Sequence, residues 1–301
     1  MISLVFPGQG SQKVGMGSDL FNKFDYIKSL FRKADEIIGY KLSEIILNGP
    51  KEKLSQTVHT QPAIYLIGCA IFEILKKETK FFENKLSFFA GHSLGEYTAL
   101  TSANSMTLEQ GLLLLKNRGN AMQSAVPLGE GGMLAVLGTE KEVINNIINE
   151  NSQNIKCFLA NDNSVGQIIF SGRNNELNKF SLLLKEKKIK NLKLPVSAPF
   201  HCELMREATI KMEKIINNQI LKEPNNKVVS NVTASEYKNV DEIKELLIKQ
   251  IESPVRWRES IEYMIMHGTS VFVEIGPGKV LSGLIKRINK DVKVLNIDKV
   301  E

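Results

Sequence analysis

Between an apolar run at Leu86–Ala90 and a stretch of apolar residues at helical spacing stand five residues, Gly91-His92-Ser93-Leu94-Gly95. A short apolar run bounded by turn residues reads as a buried strand, so the chain passes from strand to helix through one tight corner. The pentapeptide fits G-x-S-x-G, in which small residues let the backbone crowd itself and lift the serine hydroxyl clear of the sheet. Such a corner leaves the amide of the next residue, Leu94, unpaired at a helix N-terminus, where it can bind an oxyanion. Chance produces G-x-S-x-G often. The strand before it and the helix after it are the context that makes Ser93 a candidate nucleophile.

The rest of the first part repeats the alternation. Ile2–Phe6 is a short apolar run stopped by Pro7-Gly8, and a glycine-rich loop follows through Gln12. Helical patterns run to about Leu47. Gln61-Pro62 is expected to open a helix reaching about Lys77, with proline in its first turn. Thr107 with Gln110 resembles a capping box and opens a helix through about Ala125. Strands alternating with helices favour a parallel sheet.

The middle of the chain has a different rhythm. Strands are expected at Met133–Leu137, Ile155–Ala160, Gln167–Phe170 and Ile189–Leu194, with helices at Lys141–Glu150 and Asn175–Lys187. That order, β-α-β-β-α-β, is the split pattern of a ferredoxin-like domain. The flanks, Pro127 to Gly132 and Pro195 to Pro199, read as hinges. Beyond them come a long helix from Cys202, a strand near Val228, two helices, the strand Val271–Ile275, and a last helix and strand. The expected organisation is one large α/β domain, residues 1–126 and 197–301, interrupted by a small domain at 127–196, about 70 residues and within the usual domain range.

Composition narrows the function classes. The 301 residues carry 39 Lys+Arg against 33 Asp+Glu, a net charge of +6 that is mostly lysine. Length and an ordinary apolar fraction suit one large or two smaller globular domains and argue against disorder. No Arg-rich stretch interleaves with aromatics, so no nucleic-acid partner is expected. The longest apolar run, Ala63–Phe72, falls short of the about 18 residues a membrane span needs, and no basic leader precedes the first strand. Neither a membrane segment nor a signal peptide is expected. Cys69, Cys157 and Cys202 lie far apart without metal-ligand spacing, and read as free thiols of a reducing cytoplasm, with no metal site.

A serine at its free pKa needs a base. The chain has four histidines. His92 adjoins Ser93, and adjacent side chains on such a turn diverge, so it packs or lines the pocket. His59 stands ahead of a helix with nothing local to mark it. His267 reads as a helix C-terminal residue, a position the dipole favours. His201 remains, on the loop Ala198-Pro199-Phe200-His201 where the chain re-enters the large domain, and is the candidate base.

Phe6-Pro7-Gly8-Gln9-Gly10-Ser11-Gln12, Gly91-His92-Ser93-Leu94-Gly95-Glu96, Arg118-Gly119, Ala198-Pro199-Phe200-His201 and Glu274-Ile275-Gly276-Pro277-Gly278 occur in that order. Together they resemble the malonyl-CoA:acyl-carrier-protein transacylase family of type II fatty-acid synthesis, over essentially the whole chain. The resemblance implies an α/β-hydrolase-like large domain with an inserted ferredoxin-like one, Ser93 as nucleophile and His201 as base. It implies an oxyanion hole from the backbone N–H groups of Gln9 and Leu94. In place of a triad carboxylate it implies a main-chain carbonyl orienting the histidine, by position that of Gln250. Arg118 would hold the malonyl carboxylate in its planar fork, which lysine cannot reproduce. Phe200 would crowd an α-methyl branch, and His92 and Asn161 are further pocket candidates.

The implied reaction is ping-pong transfer of malonyl from malonyl-CoA to the phosphopantetheine thiol of acyl carrier protein, without metal or redox cofactor. The expected partners are CoA esters and an acidic carrier protein, which the lysine excess would help to steer. The chain is expected to be a cytoplasmic monomer, and its start at Met1 directly before the first strand argues against a domain cut from a polyketide synthase. The alternatives are a serine hydrolase or thioesterase of related fold, for which a buried cation opposite the serine has no use, and a catalytically silent carrier-binding module, against which the intact Ser93, His201 and Arg118 argue.

Overall fold

In the computed structural model, which describes residues 1–299, the first strand β1 (Ile2–Phe6) runs through the centre of a five-stranded sheet. It is followed by α1 (Ser18–Lys23), α2 (Asp25–Ile38), α3 (Leu42–Asn48), α4 (Lys51–Leu54), α5 (Thr57–Glu78), β2 (Leu86–Gly91), α6 (Gly95–Ser102) and α7 (Leu108–Ser124). After the middle segment come α10 (Arg206–Asn217), β7 (Lys227–Val229), α11 (Val240–Lys249), α12 (Trp257–Met266), β8 (Val271–Ile275), α13 (Val280–Ile288) and β9 (Lys293–Ile297). The sheet order is β7-β2-β1-β8-β9 and every pairing is parallel. A parallel sheet must be covered on both faces, and β1 shows how. Leu4 and Phe6 enter one core cluster with α5 and α7, whereas Val5 enters another with Trp257, Ile261 and Leu284 of α12 and α13. That is the two-residue period of a strand read out by two cores.

The middle segment folds as β3 (Gly131–Leu137), α8 (Lys141–Glu150), β4 (Cys157–Ser164), β5 (Gln167–Arg173), α9 (Asn174–Glu186) and β6 (Lys190–Lys193). Its sheet is separate and antiparallel, in the order β4-β5-β3-β6. Leu134, Val136, Ile168 and Phe170 pack on α8 and α9, while their neighbours Met133, Ala135 and Ile169 join the main core on the other face.

Two sequence expectations are corrected. The helix expected to open at Gln61-Pro62 begins at Thr57, so Pro62 lies inside it and His59 is helical rather than ahead of a helix. Burial of Thr57, Thr60 and Gln61 overrides the poor propensity of this β-branched start. Proline cannot donate to the carbonyl of Val58, and the Tyr40 hydroxyl donates to it instead at 3.5 Å. The strand expected to stop at Ala160 continues to Ser164. Asn and Asp are disfavoured in strands, but these are paired across the seam. Asp162 N–H donates to Val255 O, Val255 N–H donates to Ala160 O, and Arg258 and Lys141 reach the Asp162 carboxylate at 3.0 and 3.3 Å.

The capping box is present in both directions between Thr107 and Gln110. All three cysteines are buried and free. Helix α5 is by length and composition apolar enough to cross a membrane, with mean hydropathy 1.4 over an 18-residue window, but 78% of that window is buried inside the protein. It is the core helix behind the parallel sheet.

Candidate functional site

The corner between β2 and α6 is as tight as its glycines require. A Cβ on Gly91 would lie 1.9 Å from the carbonyl carbon of Gly95, and one on Gly95 would lie 2.2 Å from the Phe6 oxygen. Ser93 takes φ 53°, a left-handed conformation costly for a residue with a Cβ. Its backbone is clamped by Asn231, whose Oδ1 accepts from Ser93 N–H at 2.7 Å and whose Nδ2 donates to Gly91 O at 2.7 Å.

Ser93 Oγ lies 2.8 Å from His201 Nε2, and His201 Nδ1 lies 2.8 Å from the backbone carbonyl of Gln250. A carbonyl only accepts, so Nδ1 carries the proton and Nε2 presents its lone pair to the serine hydroxyl. His201 also has a left-handed backbone, φ 58°. Burial, then the Arg118 charge, pull its pKa down to about 3, against the Gln250 carbonyl, which favours the charged form. The resting imidazole is therefore neutral.

Arg118 comes off α7 almost fully buried, 1% exposed. Its Nη1 donates to Gln61 Oε1 at 2.9 Å, and its Nη2 donates to Gln250 Oε1 at 2.9 Å and to Ser93 Oγ at 3.1 Å. Its Nε has no hydrogen-bond partner among the described residues. The guanidinium lies 5.7 Å from the centre of the Tyr97 ring. A planar cation, one donor free and another resting on the serine oxygen, can receive a carboxylate beside Ser93.

The loop after β1 reaches the same corner. A Cβ on Gly8 would come within 2.6 Å of the His92 carbonyl, so the loop touches the turn only because Gly8 lacks one. No hydrogen bond within the described residues occupies the backbone N–H of Gln9 or of Leu94. His92 turns away from Ser93, its Nε2 bonded to Asn163 Oδ1 at 2.8 Å and its ring 5.6 Å from that of Trp257. Phe200 is buried, packed into the main core, with its carbonyl held by Ser171 Oγ. Asn161 is buried with Oδ1 unpartnered. With Gln9, His92 and Asn163 it lines a cavity of about 900 Å³ between the loop, the small sheet and the start of α13, with Lys13 and Lys51 also in its wall. Ser93, His201, Arg118 and Phe200 are not part of that wall; the cavity reaches the corner through Gln9 and His92. His59 and His267 stand apart, His59 against the Tyr40 ring and His267 on Tyr263.

Sequence reasoning missed the groups that hold this arrangement. The side chain of Gln250, as distinct from its carbonyl, ties Arg118 Nη2 to Glu96, and Gln61 holds the other guanidinium nitrogen. Asn231, Glu96 and Tyr237 complete the set. Only Glu96 carried a signal, as the acidic residue directly after G-x-S-x-G, and nothing in its identity said what it binds.

A model of the acyl transferase domain family matches residues 3–298. The malonyl CoA-acyl carrier protein transacylase of Bacillus subtilis (strain 168) is 40% identical over 304 residues, spanning 100% of this chain and 94% of that protein. The crystal structure of the transacylase of that name from Clostridium perfringens superposes with a TM-score of 0.93 at 41% identity, covering 99% of this chain and 93% of the other. A malonyl-transacylase solved in complex with its type II polyketide acyl-carrier protein superposes at 0.95 with 35% identity, covering 99% and 96%. Full-length similarity at this level settles kinship: the chain belongs to the acyl transferase domain family, among the malonyl CoA-acyl carrier protein transacylases.

Proposed function

We propose that this enzyme moves a malonyl group from malonyl-CoA to the phosphopantetheine thiol of acyl carrier protein through a malonyl ester on Ser93. The observation that carries the reading is the line Gln250 O···His201···Ser93 with a buried guanidinium 3.1 Å from the serine oxygen. Ser93 Oγ attacks the thioester carbon while His201 Nε2 takes its proton, and the oxyanion forms against the amides of Leu94 and Gln9. The C–S bond then breaks, the CoA sulfur leaves with the proton from His201, and the ester remains. The carrier thiol repeats the path in reverse: its proton goes to His201, its sulfur bonds to the acyl carbon, and Ser93 regains its hydrogen.

Arg118 gives this scheme its selectivity. The malonyl carboxylate would take the donors that the guanidinium now spends on Ser93 Oγ or leaves idle at Nε. It would also offset the positive charge that depresses His201, so that the base gains proton affinity when the right substrate is bound. Phe200 stands next to the base as the residue limiting bulk on the α-carbon. The cavity lined by Asn161 and Asn163 suits a pantetheine arm, with Lys13 and Lys51 placed for its phosphates. The smaller unit reads as ferredoxin-like, supported by its β-α-β-β-α-β order, and the larger as α/β-hydrolase-like, with domain limits at 127 and 196. The chemistry as written is carried by side chains and backbone amides alone, by a monomer in the cytoplasm.

The decisive measurement is intact mass after brief exposure to malonyl-CoA, followed by peptide mapping. A malonyl adduct on Ser93 that disappears on adding carrier protein bearing its phosphopantetheine is the expected result; an adduct elsewhere, or loss of the adduct to water alone, overturns the reading.

A further inference from the structure

We propose that Glu96 is a positioning residue, an acceptor-only side chain that sets the Gln250 amide and through it both the His201 ring and the Arg118 guanidinium. The proposal rests on the reading of Ser93 and His201 given above. Glu96 is fully buried in the first turn of α6, three residues after the serine. Its Oε2 accepts from Gln250 Nε2 at 2.7 Å and from Asn231 N–H at 3.1 Å, and its Oε1 accepts from the Tyr237 hydroxyl. Gln250 Nε2 also donates to Ser93 O at 3.0 Å, which leaves Gln250 Oε1 for Arg118. The amide could be reversed only by setting its NH2 against the guanidinium and its oxygen against a carboxylate. An ionised Glu96 forbids that reversal, because it has nothing to donate. The same residue, Gln250, lends its backbone carbonyl to His201. One buried carboxylate therefore fixes base and carboxylate clamp together.

A neutral Glu96 would not. Protonated, it loses the charge that holds the Gln250 NH2 and carries a donor of its own, so its grip on the amide slackens and with it the amide's contact to Arg118. Burial pushes the Glu96 carboxyl up to about 7, while Tyr237, Gln250, the Asn231 N–H and the more distant Arg118 hold it down. Those groups and the neighbouring Tyr97 phenol are what face it from α7, α11, α6 and the loop after β7. Burial and the Arg118 charge pull the His201 pKa down, away from neutrality, so a transition there in the free enzyme points to Glu96.

The test measures malonyl- and acetyl-adduct formation on Ser93 across about pH 5 to 9, with melting temperatures, for the parent, Glu96→Gln and Tyr237→Phe. In the parent, adduct formation should fall as pH drops through about 7. Glu96→Gln should be roughly 10- to 100-fold slower with malonyl-CoA, as expected for reacting groups displaced by a fraction of an ångström to an ångström. It should lose the acid limb and lower the malonyl-to-acetyl ratio. Its melting temperature at about pH 8 should hold or rise: a carboxyl raised on folding stabilises least above its folded pKa, and Gln carries no buried charge. Tyr237→Phe removes one donor to the carboxylate and should move the limb to higher pH. Parental rate, ratio and pH profile in Glu96→Gln would overturn the proposal. So would a loss of activity that tracks a loss of melting temperature with selectivity unchanged. A parent that forms no malonyl adduct would overturn the reading of Ser93 itself, and the proposal with it.

Discussion

The two sheets meet at the site but contribute in different ways. The parallel sheet delivers Ser93 at the end of β2, and the serine is held by hydrogen bonds on every side: Asn231 on its backbone, His201 and Arg118 on its oxygen, Gln250 on its carbonyl. The antiparallel sheet offers the bulged edge of β4, where the Asn161 Oδ1 has no hydrogen-bond partner among the described residues, the Asn163 side chain bonds His92, and Asp162 is committed to the seam. One region is over-determined and the other is a wall. A substitution in the first should change chemistry at constant fold; a substitution in the second should change affinity or cohesion at nearly constant chemistry.

Ser93→Ala should be the most severe, abolishing the covalent adduct with the melting temperature little changed; a residual adduct found elsewhere would break the comparison at its root. Arg118→Ala should follow. Stranding the malonyl carboxylate in a buried site costs on the order of 3 to 5 kcal/mol, so malonyl transfer should collapse while acetyl transfer holds or rises. Comparing kcat/KM for the two thioesters checks this, and Arg118→Lys should rescue only part. His201→Ala should slow adduct formation by roughly 100-fold or more, and no such loss should follow from His59→Ala or His267→Ala. On the other side of the comparison, Asp162→Ala should cost about 2 to 3 kcal/mol of stability by leaving Arg258 and Lys141 without their shared carboxylate. Denaturant titration measures that, and kcat should stay near the parent. The mildest case is Asn163→Ala. Loss of its bond to His92 is worth about 1 kcal/mol and should appear in KM for the CoA ester; a larger effect on kcat would move β4 from the wall into the machinery.

How much of this was legible follows the same division. The strand–corner–helix around Ser93 was visible from the residues themselves, and His201 was singled out among four histidines, because each depends on a residue type that few others can replace; Arg118 came through the family resemblance. Alternation also implied a parallel sheet, but not the order β7-β2-β1-β8-β9, since the packing of β1 between β2 and β8 leaves no local mark. The Gln250 carbonyl was located through family resemblance alone. Gln61, Glu96, Asn231 and Tyr237 were illegible as a group. They are ordinary polar residues that become neighbours only when helices α5 and α6 and the segment after β7 converge, and Asn231 binds a backbone 138 residues away. The polar half of β4 was invisible for a related reason: its ion pairs, with a helix far along the chain, outweigh a local preference against strand.

The left-handed backbone shared by Ser93 and His201 has a consequence for how such a protein can change over time. Glycine relieves that conformation, and asparagine tolerates it better than most. Neither carries a hydroxyl or an imidazole. If the two residues act as proposed, selection for durability alone would push these positions towards residues that end catalysis, and selection for turnover must keep resisting that drift. A descendant freed from its reaction should lose the serine and the histidine early, and gain rather than lose robustness as it does.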